Sequence, residues 1–238
     1  MRRRVAFAFV TAAASVALAV TPGAPAFAAV SCTGSMTGDI NASIRVPAGA
    51  TCDLFKADVH GNAQVDPTGI LLVNQSKVQG FVNANQPGRG SLSTIGLGIF
   101  SSTIGGSLTL SGPGTGATGT VVNAVCDSDI AGNVAVSNVR ANSLFSAGTG
   151  FATFAGGGGF GCGPPPQGAN EVHGAVLFEN NQGNVNLSGN SVDSPVRATG
   201  NTGGGTINDN KIAGSLLCSN NVPAFTATGD TTAGKNTC

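Results

Sequence analysis

Glu171, His173 and Asp193 have the side chains and the spacing of an acid/base site. Glu171 and His173 are two residues apart, so in a β-strand they project from one face. Asp193 takes the position of His173 in the next copy of a sequence repeat, and stacked copies would place the two about 4.8 Å apart. Arg197 is expected on the same face. An imidazole between two carboxylates, with a guanidinium nearby, can perform general acid/base catalysis on a sugar or uronate.

A second group of the same kind lies nearer the N-terminus. It consists of Asp39, Asp58, His60 and Lys77. His60 and His173 are 113 residues apart, which we interpret as five to six repeats, or roughly 25 Å, so they cannot share a site. A purely structural interpretation competes for both groups, because charged side chains belong on the wet face of a strand and opposite charges on neighbouring strands pair.

Other catalytic and metal-binding signatures are missing from the sequence. Asp127 and Asp129 form a close acidic pair, but no third ligand for calcium stands nearby. There is no G-x-S-x-G nucleophile elbow. The chain has no Trp and no Tyr, the side chains that most often stack on sugars. We therefore expect no metal ion and no cofactor, and we favour a protein without catalytic activity.

The candidate residues are positioned by a repeat with strict alternation. Each copy begins with Val or Ile and has small or apolar residues two, four and six positions later; six of seven copies have Gly at the third position. This pattern predicts strands with one buried face and excludes helix. A degenerate copy runs over 40–46. The seven copies begin at Val59, Val78, Ile104, Ile130, Val172, Val192 and Ile212.

The spacing of the copies indicates a solenoid. From Ile40 the steps are 19, 19, 26, 26, 42, 20 and 20 residues. A period near 20 is typical of stacked units that cannot bury their apolar faces alone, and it suits coils of a parallel β-helix with tight Gly/Asn corners. We interpret the steps of 26 as coils with inserted loops and the step of 42 as two units, one degenerate. An antiparallel sandwich of hairpins is the alternative.

The six cysteines agree with this period. Cys32 and Cys52 are 20 residues apart, as are Cys218 and Cys238, and residues one coil apart are close enough for a disulfide. We predict that these two bridges join the first and the last coils, and Cys126–Cys162 is left by elimination. Six cysteines alone allow fifteen pairings. A zinc site is the weaker alternative, since there is no C-x-x-C and no nearby His.

The coil pattern resembles the right-handed single-stranded β-helix of the pectate-lyase-like superfamily. The ending KIAGSLLCSNNVPAFTATGDTTAGKNTC is similar to secreted Gly/Asn-rich repeat proteins of high-GC Gram-positive bacteria. The resemblance covers most of 32–238. It implies an all-β, single-stranded, right-handed parallel β-helix of about eight or nine coils. It implies little about activity, because that superfamily holds lyases, hydrolases, adhesins and structural proteins. The calcium-binding aspartates of its lyases and the Gly-His-Gly of its hydrolases are absent here.

The chain divides into a leader and one domain. Three arginines, an apolar run and a small-residue ending at Ala28 predict a signal peptide over 1–28, followed by a single β-helix domain over 29–238. One segment, 151–170, departs from the repeat with Phe151, Phe154 and Phe160 among glycines. It is either a surface loop tied down by Cys162 or an exposed apolar flap that contacts a partner.

Charge narrows the choice of partner. The leader contains three of eleven Lys and Arg and none of eleven Asp and Glu, which leaves a net charge of −3. We expect no nucleic acid, because cationic clusters are absent, and no membrane partner after cleavage. The sequence favours a secreted extracellular or cell-surface structural or binding protein, with polysaccharide or another surface protein as its partner. A polysaccharide-active lyase or hydrolase is the second interpretation, and self-assembly through the coil ends is the third.

Overall fold

The computed structural model describes residues 29–88, 95–112, 121–149, 151–153, 159–162 and 168–238. Within these ranges the chain is all-β, without α-helix. A helix with the length and apolar character to cross a membrane is accordingly not found among them. The predicted signal peptide, 1–28, lies outside the described residues.

The described residues form 27 strands, most of them two to six residues long. The first fourteen are β1 (Val30–Ser31), β2 (Ser35–Ile40), β3 (Ile44–Val46), β4 (Thr51–Val59), β5 (Ala63–Val65), β6 (Ile70–Asn74), β7 (Lys77–Val78), β8 (Val82–Asn85), β9 (Ile95–Phe100), β10 (Thr103–Ile104), β11 (Leu108–Ser111), β12 (Val121–Cys126), β13 (Asp129–Ile130) and β14 (Val134–Ser137). The others are β15 (Ser143–Gly148), β16 (Phe151–Thr153), β17 (Gly159–Gly161), β18 (Glu171–Val172), β19 (Val176–Glu179), β20 (Asn184–Ser188), β21 (Ser191–Val192), β22 (Val196–Thr199), β23 (Gly205–Asn208), β24 (Lys211–Ile212), β25 (Leu216–Ser219), β26 (Thr226–Thr228) and β27 (Thr231–Thr232).

These strands form two long parallel sheets. The nine-stranded sheet has the order β1-β3-β5-β8-β11-β14-β19-β22-β25. The sixteen-stranded sheet runs β26-β23-β20-β15-β12-β9-β6-β4-β7-β10-β13-β18-β21-β24-β27, with β2 paired to β4. Neighbouring repeats pair in parallel, so the alternative of an antiparallel sandwich is wrong. The long parallel ladders are compatible with a β-helix solenoid.

The residues that begin the repeats stack in register along the sixteen-stranded sheet, as the alternation predicts. Ile40 pairs with Val59, Val59 with Val78, and the ladder continues to Ile212 and Thr232. From Val59 to Ile212 each of the first residues is at most 3% exposed, because the alternating side chains face a core shared by the sheets. The intermediate pairs are Val78–Ile104, Ile104–Ile130, Ile130–Val172, Val172–Val192 and Val192–Ile212.

The 42-residue step is a single step of the ladder, and its interpretation as two units is wrong. Ile130 pairs directly with Val172, without an intervening strand. The additional residues follow β15, where β16 and β17 form an antiparallel pair and Cys162 is disulfide-bonded to Cys126. An insertion between two strands leaves their pairing intact, since only the ends must meet. The side chains of Phe151, Phe154 and Phe160, on which the predicted flap depends, lie outside those that the structure describes.

Polar side chains form hydrogen-bonded ladders at the corners of the fold. In the ladder that we call the corner ladder, each side-chain oxygen accepts a hydrogen bond from the backbone N–H one repeat earlier, at 2.9–3.2 Å. The asparagines of this ladder lie at corners, as the sequence predicts, but they are at most 2% exposed. Its members are Ser76, Ser102, Ser128, Asn170, Asn190, Asn210 and Asp230.

Three disulfides join Cys32 to Cys52, Cys126 to Cys162 and Cys218 to Cys238. The repeat period predicts the first and the last of these pairs, and elimination predicts the middle one. Cys32 and Cys52 are buried at the N-terminal end of the core, whereas Cys238 is exposed at the other end. Free cysteines are not present. A full set of disulfides fits an extracellular protein, because such bonds persist in oxidising compartments.

Candidate functional site

Strands β18 and β21 position the predicted acid/base group. Glu171 pairs with Asp129 on one side and with Ser191 on the other. The His173 N–H donates to the Ile130 carbonyl, and the Asp193 N–H donates to the Val172 carbonyl, both at 2.9 Å. These two hydrogen bonds have the same pattern one repeat apart, so His173 and Asp193 occupy equivalent positions in adjacent rungs, as the sequence predicts.

Gly174 lets the chain pass close beneath the previous repeat immediately after His173. A Cβ at Gly174 would lie 2.5 Å from the Gly132 backbone, a distance that side chains do not tolerate. The φ angle of Gly174 is not in the left-handed region, so close stacking explains this repeated glycine.

His173 is held between two aspartates. Its Nδ1 lies 2.7 Å from Asp193 Oδ2, and its Nε2 lies 3.3 Å from Asp129 Oδ1. The side chains of His173, Asp129 and Asp193 are 46%, 48% and 57% exposed, and Glu171 is also exposed. The group is therefore ordered by mutual contacts on a solvent-facing surface.

This environment raises the pKa of His173 above its usual value of 6.5. The hydrogen bond to Asp193 is the main cause, because it stabilises the protonated imidazole. Desolvation opposes the increase, while the charges of Asp129, Asp193 and Glu171 add to it. His173 therefore keeps its proton to a higher pH than an unperturbed histidine does, which favours a role as general acid.

Asp129 is the member of this site that sequence reasoning missed. It was noticed only as a partner of Asp127 in an acidic pair. The signal was its position directly before Ile130, the position that Glu171 holds before Val172. Since the step between these copies was interpreted as two units, Asp129 was not placed next to Glu171.

Arg197 does not join the group. It lies on β22 in the nine-stranded sheet, paired between Leu177 and Leu217, whereas Glu171 belongs to the other sheet. The chain turns between Val192 and Val196, so a side chain four residues beyond Asp193 points from a different side of the molecule. The guanidinium expected beside the imidazole is therefore located elsewhere.

The second predicted group is assembled more loosely. Asp39 pairs with Asp58, and Asp58 pairs with Lys77. His60 Nε2 is 4.0 Å from Asp58 Oδ1, an oxygen that already accepts a hydrogen bond from Gln79 Nε2 at 3.1 Å. The two histidine sites are four rungs apart, or about 19 Å at the strand spacing. They are separate sites, as predicted, but nearer than the sequence suggested, because the 42-residue step is one rung.

A polar depression of about 300 Å³ adjoins the His173 group. Asp129 and Glu171 belong to both, so the depression opens beside the imidazole. Hydroxyl groups and carboxylates dominate its wall, which suits hydrogen bonding to a hydrated or polyhydroxylated ligand. The remaining lining residues are Ser101, Ser102, Thr103, Asp127, Ser128 and Ala169.

Among the described residues, two sets of side chains have the donors and the proximity for binding a metal ion. Asp129, Glu171 and His173 form one set, and Asp39, Asp58 and His60 form the other. In each set the ligand atoms lie within 4.8 Å of one another. A set with one imidazole and two carboxylates is suited to a divalent transition metal.

No family model, no curated protein and no solved structure matches this chain. The function must therefore be inferred from the residues themselves.

Proposed function

We propose that the protein is a secreted, extracellular or cell-surface structural or binding protein without catalytic activity. Its scaffold would be a right-handed single-stranded β-helix of about eight or nine coils, exported by the signal peptide at 1–28. The observation that carries the proposal is the exposure of the acid/base group. His173 and its carboxylates are about half exposed, whereas catalytic groups are usually activated in water-excluding clefts.

The scaffold itself supports an extracellular role. Each repeat is hydrogen-bonded to the next, and disulfides close the loops at both ends of the ladder. The disulfides add to the stability that the core provides, because they restrict the unfolded chain, and this is useful outside the cell. Polysaccharide of the cell wall or matrix, or another surface protein, is the partner that a rigid, polar and mildly acidic surface would contact.

The experiment is incubation of purified protein with a panel of uronate-containing and neutral polysaccharides. We expect neither new reducing ends nor the absorbance of an unsaturated product. Co-sedimentation with insoluble cell-wall or matrix polysaccharide should detect binding. Cleavage by the wild type that is lost in His173→Ala, with the circular dichroism spectrum unchanged, would refute the non-catalytic proposal.

A polysaccharide-active lyase or hydrolase is the second candidate. The position of His173 between Asp129 and Asp193 favours it, because the imidazole is oriented by one carboxylate and opens beside a polar depression. In this alternative, His173 would transfer the proton and Glu171 would assist. The polysaccharide panel distinguishes the two candidate functions, because only a lyase or hydrolase would generate new reducing ends or an unsaturated product.

A further inference from the structure

We propose that Asp129, Glu171 and His173 form a binding site for a first-row divalent cation of the Zn²⁺ type, with Asp193 as the residue that orients the histidine. Three protein ligands and solvent would complete the coordination, as in open zinc sites. The proposal goes beyond the binding function above and does not depend on which macromolecule the protein contacts.

The first argument is the distance between two of the ligand atoms. His173 Nε2 and Asp129 Oδ1 are 3.3 Å apart. Two ligands bound to zinc at about 2.0 Å with a tetrahedral angle are separated by about 3.3 Å. Glu171 completes the set with a carboxylate oxygen within 4.8 Å of the others. Small side-chain rotations would then bring the three ligands onto one ion.

The second argument is the orientation of the imidazole. Asp193 Oδ2 lies 2.7 Å from Nδ1, so Nδ1 can donate its proton to that carboxylate. Nε2 faces Asp129 Oδ1 and is the nitrogen left to bind a metal ion. Metal-ligating histidines commonly donate their other N–H to a carboxylate, which fixes the tautomer and strengthens the ligand. Asp193 stands where that orienting carboxylate is needed.

The third argument is charge. Asp129 and Glu171 are directly paired across neighbouring strands, an arrangement in which like charges destabilise one another. Asp193 adds a third carboxylate around the same ring. With Nδ1 as donor, a neutral imidazole would also direct its Nε2 lone pair at the Asp129 oxygen. A divalent cation bound between these atoms would offset two of the three negative charges, whereas a proton on Nε2 offsets only one.

The ligand types favour a transition metal over calcium. Calcium takes six to eight oxygen ligands, whereas this site offers one imidazole nitrogen and two carboxylates. Imidazole is a good ligand for zinc, copper and nickel. Asp129 and Glu171 also border the polar depression, so solvent has access to the side of the site on which coordination positions remain open.

The His60 group provides a natural control. There the imidazole is 4.0 Å from Asp58 Oδ1, and that oxygen is already engaged by Gln79. A carboxylate at the hydrogen-bonding distance that Asp193 has from His173 is not found for His60 among the described residues. The two histidine sites contain the same residue types, but only the imidazole of His173 is oriented by a carboxylate at hydrogen-bonding distance. His60→Ala is therefore a matched control for His173→Ala.

The experiment is isothermal titration calorimetry of purified, chelator-treated protein with Zn²⁺ alone, and with Ca²⁺ alone as the comparison ion. We expect saturable binding of one equivalent of Zn²⁺ near pH 7 and weaker or no binding of Ca²⁺. His173→Ala should abolish the binding. Asp193→Asn should retain the site but weaken Zn²⁺ binding about 10- to 100-fold, the usual cost of losing an orienting carboxylate. His60→Ala should bind Zn²⁺ as the wild type does.

Two further readouts separate a metal site from a structural effect. Zn²⁺ should shift or broaden the NMR signal of the His173 Cε1 proton and leave that of His60 unchanged, because only His173 would become a ligand. Circular dichroism should show that each variant is folded. The proposal is overturned if wild-type protein shows no saturable Zn²⁺ binding, if folded His173→Ala binds equally well, if only His60→Ala loses the ion, or if Ca²⁺ binds as tightly.

Discussion

His173 Nδ1 and Asp193 Oδ2 are 2.7 Å apart although 20 residues separate them in sequence. The contact exists because the two residues occupy the same position in adjacent rungs of one parallel ladder. It raises the pKa of His173, since the hydrogen bond is worth more to the charged imidazole than to the neutral one. The interaction therefore stabilises the folded protein while the imidazole is protonated and loses that contribution as the pH rises through the folded pKa.

The first prediction concerns this pair. Asp193→Asn should lower the pKa of His173 towards 6.5, because an amide stabilises the imidazolium less well than a carboxylate does. The measurement is the NMR titration of the histidine Cε1 protons with a chelator present to keep the protein free of metal. His173→Gln assigns the signal by removing it. An unchanged His173 titration in Asp193→Asn would show that the contact does not exist in solution.

The second prediction concerns the corner ladder. Asn190 Oδ1 accepts hydrogen bonds from both the N–H and the Nδ2 of Asn170, and Asn190 Nδ2 donates to the Ala147 carbonyl. Asn190→Ala should reduce the free energy of unfolding by about 3 kcal/mol, because each buried group left without a partner costs about 1–3 kcal/mol. Urea unfolding followed by circular dichroism measures the loss.

The control for this prediction is Asn85→Ala, which removes the same side chain from the exposed face of β8. That change should alter the stability by less than about 0.5 kcal/mol. Equal effects of the two substitutions would contradict a structural role of the corner ladder.

The sequence predicts the ladder positions well because burial of one face imposes the alternation. Val59 and Val192 begin their repeats and are fully buried, and the contact of His173 with Asp193 follows from a step equal to one period. The pairing of Asp129 with Glu171 could not be predicted, since an insertion lengthens a step without adding a rung. The length of a step alone does not distinguish an inserted loop from an additional rung.

The burial of the corner asparagines and the location of Arg197 are not predicted by the sequence, and both have the same physical cause. A residue with positive φ, such as Gly189 or Asp209, shifts the phase of the alternation, so that the asparagine after it faces inward. Alternation within one strand therefore cannot reveal that Asn190 and Asn210 are buried. The turn before Val196 likewise moves Arg197 to another sheet. A pattern of exposed and buried residues reports which side chains face solvent, but it does not report the sheet on which they lie.

The third prediction concerns the end of the corner ladder, where an aspartate replaces the asparagine. Asp230 Oδ1 accepts hydrogen bonds from the N–H and Nδ2 of Asn210, whereas its buried Oδ2 has no partner. Burial is the main cause that raises the pKa of Asp230, and the charge of Asp209 raises it further. The two hydrogen bonds from Asn210 lower this pKa but do not cancel the increase. Because the folded pKa exceeds the unfolded value, stability should decrease as the pH rises from the unfolded pKa through the folded one.

Asp230→Asn should remove this pH dependence and stabilise the protein by about 1 kcal/mol at neutral pH, since an amide keeps the acceptor and adds a donor to the ladder. Urea unfolding at several pH values measures the difference between variant and wild type. Glu179→Gln, which neutralises an exposed carboxylate at the end of β19, is the control and should leave the stability nearly unchanged. A variant less stable than the wild type at neutral pH would show that the Asp230 carboxylate is stabilising in its ionised form.

The last prediction compares the two terminal disulfides. Each closes a loop of 20 residues, so restriction of the unfolded chain alone is worth about 3 kcal/mol for either bridge. The folded states differ, because Cys32 and Cys52 are buried in the core while Cys238 is exposed. Replacing Cys32 and Cys52 by alanine also leaves a cavity, and should lower the stability of the whole domain more than replacing Cys218 and Cys238.

Loss of the Cys218–Cys238 bridge should instead release mainly the last repeat, with faster amide exchange in β27 and little change at Val78. Hydrogen exchange followed by mass spectrometry resolves the two regions, and equal exchange in both variants would show that the terminal bridge does not hold the end of the ladder.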